Sequence, residues 1–574
     1  MATSGQKATD GINLNYDNRS MESQPYFDLG SYSRRITTRN SSSQLWFNRG
    51  LIWCYAFNHE EAIKCFQRAL KDDPECIMAL WGIAYALGPN YNKPWEAFEE
   101  NEKKTNLEWA KASLDAARES GNGGEGEQDA TPVERALIQA VRVRYQNDEE
   151  FGKWNEDYAG AMELVYGEFG YDLDVAALYA DSLMNLTPWA LWDLRSGEPA
   201  DGARTLEAKK VLDDAIAMPG GRDHPGLLHL YTHLMELSPR LEDALPVADR
   251  LRGLVPDAGH LHHMPTHLDV LCGDWKRAIE SNSEAIEADE RWVTRAGALN
   301  FYSLYRSHNY HFKIYAAMFA GQSRVAIETV TMLEASLPDE LLRIESPPMA
   351  DWLESFLSMR VHALIRFGRW DDLLALDVPT DPSLYSVTTA MIRYGKGVAH
   401  AATGNVKGAR EESKLFALAR QNVPTSRTLF NNTANAILSV AAAMLEGELS
   451  YRQGEVARGF ESLQKAVELS DNLPYDEPWG WMQPPRHALG ALLLEQNRID
   501  EAAAVYRADL GLDDTLPRAL RHPNNVWALH GYHECLVKQR GEQGAASIEK
   551  QLKLLAAEAD VEVQSSCFCR GTTR

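Results

Sequence analysis

The stretch Leu45–Pro74, "LWFNRGLIWCYAFNHEEAIKCFQRALKDDP", reads as two helices joined by a turn. Apolar and small residues recur at helical spacing on both sides of Phe57-Asn58-His59-Glu60, and Asp73-Pro74 closes the second segment. Proline lacks an N–H and fixes φ, so a helix ends at or before it. Gly50, Ala62 and Ala69 are small enough to let two antiparallel helices approach, and Trp46, Trp53 and Phe66 are large enough to fill the groove between them. The unit is a helical hairpin.

The same unit recurs when the alanine that opens its second helix is used as a marker. After Ala62 come Ala244 (closed by Pro256), Ala278 with Ala285, Ala326, Leu373 in the alanine's place, Ala409, Gly459 with Ala466, and Ala502. The step from Ala244 to Ala278 is 34 residues, whereas the other steps are irregular. Few alternating Val/Ile runs compete, so the chain is expected to be all-α. With Trp46, Gly50, Trp53, Ala62, Phe66, Ala69 and Pro74 at the family's spacings, this unit resembles the tetratricopeptide repeat (TPR) family. The resemblance implies a TPR-like superhelical array of antiparallel helix pairs, one that can close on itself. Five regions follow: a polar segment 1–42, a TPR-like region 43–220, His-rich units 221–335, a second TPR-like region 336–556, and a disordered tail 557–574.

The chain has 574 residues and a formal net charge of −24. That field repels a phosphate backbone and an anionic lipid surface, so neither nucleic acid nor a membrane is expected as partner. The polar start "MATSGQKATDGINLNYDNRS" lacks the apolar core of a signal peptide, and no long apolar run follows. Seven scattered cysteines in such a chain read as reduced thiols of a cytoplasmic protein. Residues 119–132, Gly-rich and acidic, read as an exposed loop.

Nine of the sixteen histidines lie between His224 and His311. His229, His263 and His311 each stand 15 residues before their marker alanines, His233 and His267 stand 11 before, and His260 and His308 stand 18 before. Offsets of 18, 15 and 11 share one face of a helix. In the TPR family that face of the first helices lines a concave groove, so the resemblance gathers His229, His233, His260, His263, His267, His308 and His311 into one candidate metal site. Neutral imidazole suits a transition metal such as Cu, Fe or Zn, and a three-histidine set leaves a position open for substrate, water or dioxygen. Pro265 is welcome only at a helix start, so the helix is expected to begin near Met264, with "DAGHLHH" as a connection.

His487 also stands 15 before Ala502, but its unit is remote in sequence. His59, His362, His400 and His530 read as structural. Trp189, Trp192, Trp479 and Trp481 suit either packing or a pocket wall. Asp223, Asp257 and Asp269 are weak candidates to orient imidazoles, and no catalytic triad is recognisable. The His-Met-Pro-Thr-His block at 263–267 also resembles long bacterial and fungal TPR proteins, a likeness that supplies no reaction. The expected function is a metal-dependent enzyme acting on a small molecule. Redox chemistry is favoured over hydrolysis, because no carboxylate base is evident in the all-histidine set. The alternative is a TPR scaffold that binds a peptide or protein in its groove.

Overall fold

The computed structural model describes residues 25–120, 130–146 and 150–570. Most of the loop read at 119–132 therefore lies outside the described residues. Elsewhere the chain is helical, apart from one short antiparallel pair, Thr428–Leu429 with Asn432–Thr433. No helix among the described residues is long and apolar enough to cross a membrane. The chain divides into two compact units. The first takes the described residues up to 268 together with 287–295, and the second takes 269–286 and those from 296 onward.

In the first unit the hairpin Ser41–Tyr55 and His59–Asp72 forms as its sequence dictates. The Asn40 side chain accepts from the Ser42 and Ser43 N–H groups, and Asn58 accepts from Glu61, so both helices start on a side-chain cap. The Phe66 ring explains the small residues around it. A Cβ added at Gly50 would lie 2.5 Å from that ring, and one at Gly82, on the next helix Ile77–Ala86, 2.6 Å from it. The second unit repeats the device. There Tyr506, on Ile499–Asp509, occupies the space left by Gly490 on Pro485–Glu495 and Gly531 on Val526–Ala556. Most marker residues, from Ala62 to Ala502, fall inside the second helix of a hairpin. Ala244 instead ends the 3-10 turn Leu241–Ala244, which leads into Leu245–Leu251.

Residues 25–40 carry no regular structure but are tied down. Arg34 reaches Asp172 at 2.7 Å and Asp174 at 2.8 Å, and the Tyr32 and Tyr55 hydroxyls donate to Asp174 at 2.6 and 2.5 Å. The tail differs from expectation. Residues 557–570 pack within the second unit instead of fraying. The Ser566 hydroxyl donates to the His487 carbonyl at 2.7 Å, Arg570 pairs with Glu534 at 2.6 Å, and Cys569 is buried. These specific contacts, invisible to composition, hold it. Cys567 and Cys569 form a disulfide, against the expectation of seven thiols.

Candidate metal centre

The helix Pro225–Glu236 is built to be buried on every side. His224 caps it by accepting from the Leu227 N–H at 3.1 Å, Pro225 takes the first turn, and the whole helix is buried. His229 and His233, four residues apart, therefore project together, with ring centroids 4.9 Å apart. His260, on Gly259–His263, brings its ring to 4.9 Å from His229 and 6.2 Å from His233. One ligand nitrogen from each of the three lies within 4.8 Å of the others. A tetrahedral ion with metal–nitrogen bonds of about 2.0–2.1 Å needs them roughly 3.4 Å apart.

The hydrogen bonds fix which nitrogen is offered. His229 Nδ1 lies 2.6 Å from the Tyr55 carbonyl, which can only accept, so Nδ1 carries the proton. His233 Nδ1 faces Glu236 Oε1 at 3.1 Å, and His267 Nδ1 faces Oε2 of the same carboxylate at 2.5 Å. In both His229 and His233 the lone pair is left on Nε2, and neither buried Nε2 meets a hydrogen-bond partner among the described residues. An imidazole with Nδ1–H held by a carbonyl or carboxylate and Nε2 presented is the arrangement that orients metal-ligating histidine. Burial pushes the His229 imidazole down to about 3. Burial, then the neighbouring His229, His267 and His263, holds His233 well below the usual histidine range. Both rings are thus neutral, the form that binds metal.

His263 and His267 complete the set in this unit, their Nε2 atoms 2.7 Å apart. With His267 Nδ1 donating to Glu236, His267 Nε2 accepts and His263 Nε2–H donates. The helix start differs from expectation. Gly259–His263 is already helical, Met264 keeps right-handed helical angles, and Pro265 opens Pro265–Cys272. The proline removes only its own N–H, while Met264 N–H still reaches the His260 carbonyl at 3.0 Å. The chain therefore stays helical through Met264, and His260 and His263 keep helical registration. The five histidines are also fully buried and do not line an open groove.

His308 and His311 lie on Ser303–Phe319 in the second unit. There Phe430 packs on both rings, and His311 Nε2 faces Met482 Sδ at 2.9 Å. His487 belongs to a network described below. Trp192 spends its ring N–H on the Leu234 carbonyl at 2.6 Å, and Trp479 on the Ser470 carbonyl at 3.0 Å, so both pack structurally. Asp223 pairs with Arg250, and Asp257 with Arg291 at 2.7 Å, so neither serves the imidazoles as expected. Asp269 lies in the second unit, 4.0 Å from Arg277.

Sequence reasoning missed Glu236, although its place three residues after His233 and seven after His229 puts it on their face. It also missed Phe57, whose ring lies 4.4 Å from His229 and 5.7 Å from His260. Phe57 and Trp189, the latter 6.3 Å from His233, are both held at positive φ (56° and 62°). Left-handed backbone at aromatic residues costs about 1–2 kcal/mol each, and no periodicity argument anticipates it.

Comparison with known proteins bears on the scaffold first. Residues 43–76 match the tetratricopeptide repeat family. The match covers one hairpin of the array, the one built around Phe66. No curated protein matches the chain. Among solved structures, the APC/C hetero-tetramer Cut9-Hcn1 is similar at 13% identity and TM-score 0.31, over 91% of this chain and 78% of that one. Yeast Tom70 gives 12% identity and 0.30, over 89% and 92%. The human IFIT1 dimer with m7Gppp-AAAA gives 11% and 0.31, over 96% and 95%. Scores this low carry no argument. The likeness to tetratricopeptide repeats rests on the matched residues 43–76 and on the helical hairpins themselves.

Proposed function

We propose that His229, His233 and His260 hold a transition metal ion, with His263, His267 and Glu236 beside them, and that the chain is a metal-dependent enzyme acting on a small molecule. The observation that carries this reading is the pair of buried, unpartnered Nε2 atoms on His229 and His233, each with its Nδ1 engaged. A buried nitrogen left without a partner is costly, and coordination removes that cost. Three histidine nitrogens leave a position for an exogenous ligand, and the ion would supply Lewis acidity or one-electron chemistry there. Glu236 is occupied with two imidazoles and is not free to act as a base, which favours redox chemistry over hydrolysis. Elemental analysis of the purified chain tests the reading, which requires about one ion per chain.

A second reading has its own support. The match at residues 43–76 supports it, since repeats of this family commonly bind peptides or proteins. A scaffold of that kind would purify metal-free and would capture a partner whether or not His229 and His233 were replaced.

A further inference from the structure

We propose that Arg144, in the first unit, is the anchor of a second and separate site, one that holds the carboxylate of a small monoanionic ligand. Arg144 is completely buried. Its Nη2 donates to the Pro89 carbonyl at 2.5 Å, while Nε and Nη1 meet no hydrogen-bond partner among the described residues. The same unit shows how it treats a buried guanidinium elsewhere, since Arg34 is given both Asp172 and Asp174. Arg144 meets no carboxylate at ion-pair distance among the described residues. Its charge rests instead over two aromatic rings, Tyr158 at 4.7 Å and Tyr85 at 5.3 Å. Ring faces attract a cation but do not neutralise it, and a buried charge without a counter-ion is strongly unfavourable.

Asp181, the carboxylate whose charge acts on Arg144, makes no hydrogen bond to it among the described residues. Asp181 is turned to other donors, the Tyr85 hydroxyl at 2.9 Å and the Asn185 amide at 2.9 Å, and burial pushes its carboxyl above the usual range. His59 bonds through Nδ1 to the Ala86 carbonyl at 2.9 Å, and its Nε2 is buried without a partner. Gly88 lets the backbone pack close to the guanidinium, since a Cβ there would sit 3.2 Å from Nη1 and 2.7 Å from the Tyr145 hydroxyl. One guanidinium charge beside a neutral imidazole matches a single negative charge. Planar N–H donors favour a planar carboxylate over a spherical halide.

The test is calorimetric titration of the full chain, dialysed free of carboxylate buffers, with formate, acetate and chloride at constant ionic strength. Saturable binding of formate or acetate is expected, with chloride weaker. Arg144→Met is expected to weaken carboxylate binding by about tenfold or more, and Arg144→Lys to weaken it less. Metal content should be unchanged in both, so failure here is distinct from failure of the metal reading. Asp181→Asn guards against loss of folding at Arg144. If Asp181 were the counter-ion, the native chain would bind nothing and Asp181→Asn would gain affinity. That result, equal binding of chloride, or carboxylate binding that survives in Arg144→Met, overturns the proposal.

Discussion

Each unit places a buried carboxylate between two imidazoles, and the two arrangements end differently. In the first unit Glu236 faces His233 and His267 through their Nδ1 atoms. In the second, Asp509 accepts from His487 Nε2 at 2.8 Å, His522 Nδ1 at 2.9 Å and the Asn525 amide at 3.1 Å. The difference lies at the far nitrogens. His487 Nδ1 is met by the Arg366 guanidinium at 3.2 Å, so that network is closed. Nε2 of His229 and of His233 is met by nothing among the described residues, and His260 stands beside them. A carboxylate–histidine pair is therefore not itself a sign of a site. What marks one is the ring nitrogen that the pairing leaves open.

The largest effect expected from this contrast is on metal content. His229→Ala or His233→Ala should take the chain from about one ion to a trace, while His487→Ala keeps the ion. Equal loss in all three would erase the distinction. The next effect is on stability and belongs to the closed network. Asp509→Ala strips His487, His522 and Asn525 of their shared acceptor. Breaking a buried charged network by removing one partner costs about 3–5 kcal/mol. The loss should appear as reduced hydrogen-exchange protection of the amides in Pro485–Glu495, where His487 sits. Glu236→Gln comes third. It keeps the shape but loses one accepting oxygen, and outer-shell changes of this kind cost about 10–100-fold in metal affinity. Competition with a chelator measures it, and an unchanged affinity would remove Glu236 from the site.

The hairpin architecture was legible in the sequence because it depends on short-range pattern. Gly50, Phe66 and Gly82 are spaced by helix geometry, and the ring fills the space that the glycines leave. The histidine register was legible for the same reason, and it brought His229, His233 and His260 together. What spacing could not give was the state of each ring. That depends on the Tyr55 carbonyl, 174 residues before His229 in the chain, and on Glu236, 31 residues before His267. The burial of the whole of Pro225–Glu236 was equally out of reach, since it comes from packing on all sides and not from an apolar stripe. The tail was misread because Ser566 and Arg570 find partners that composition does not reveal.

The smallest effect is a slope with pH, and it sharpens the comparison from the closed side. His487 faces Asp509 and Arg366, and Asp509 also holds His522. Burial outweighs the attraction of Asp509 and pushes the His487 imidazole down to about 4. In the unfolded chain the same ring takes its proton near pH 6.5. Between those values unfolding takes up a proton, so stability falls as pH falls, by about 1.4 kcal/mol per pH unit for one group. Asp509 adds to the fall at lower pH. Although burial opposes it, the two imidazoles hold its carboxyl below the usual range, so the unfolded chain is protonated there first. Hydrogen exchange in Pro485–Glu495 between pH 7 and pH 4 reads the slope. His487→Gln, which keeps a donor for Asp509 but cannot titrate, should flatten it by about one proton. A slope identical in the variant would mean that His487 is already charged in the fold. The Arg366 contact would then be repulsive, and the network would not be closed.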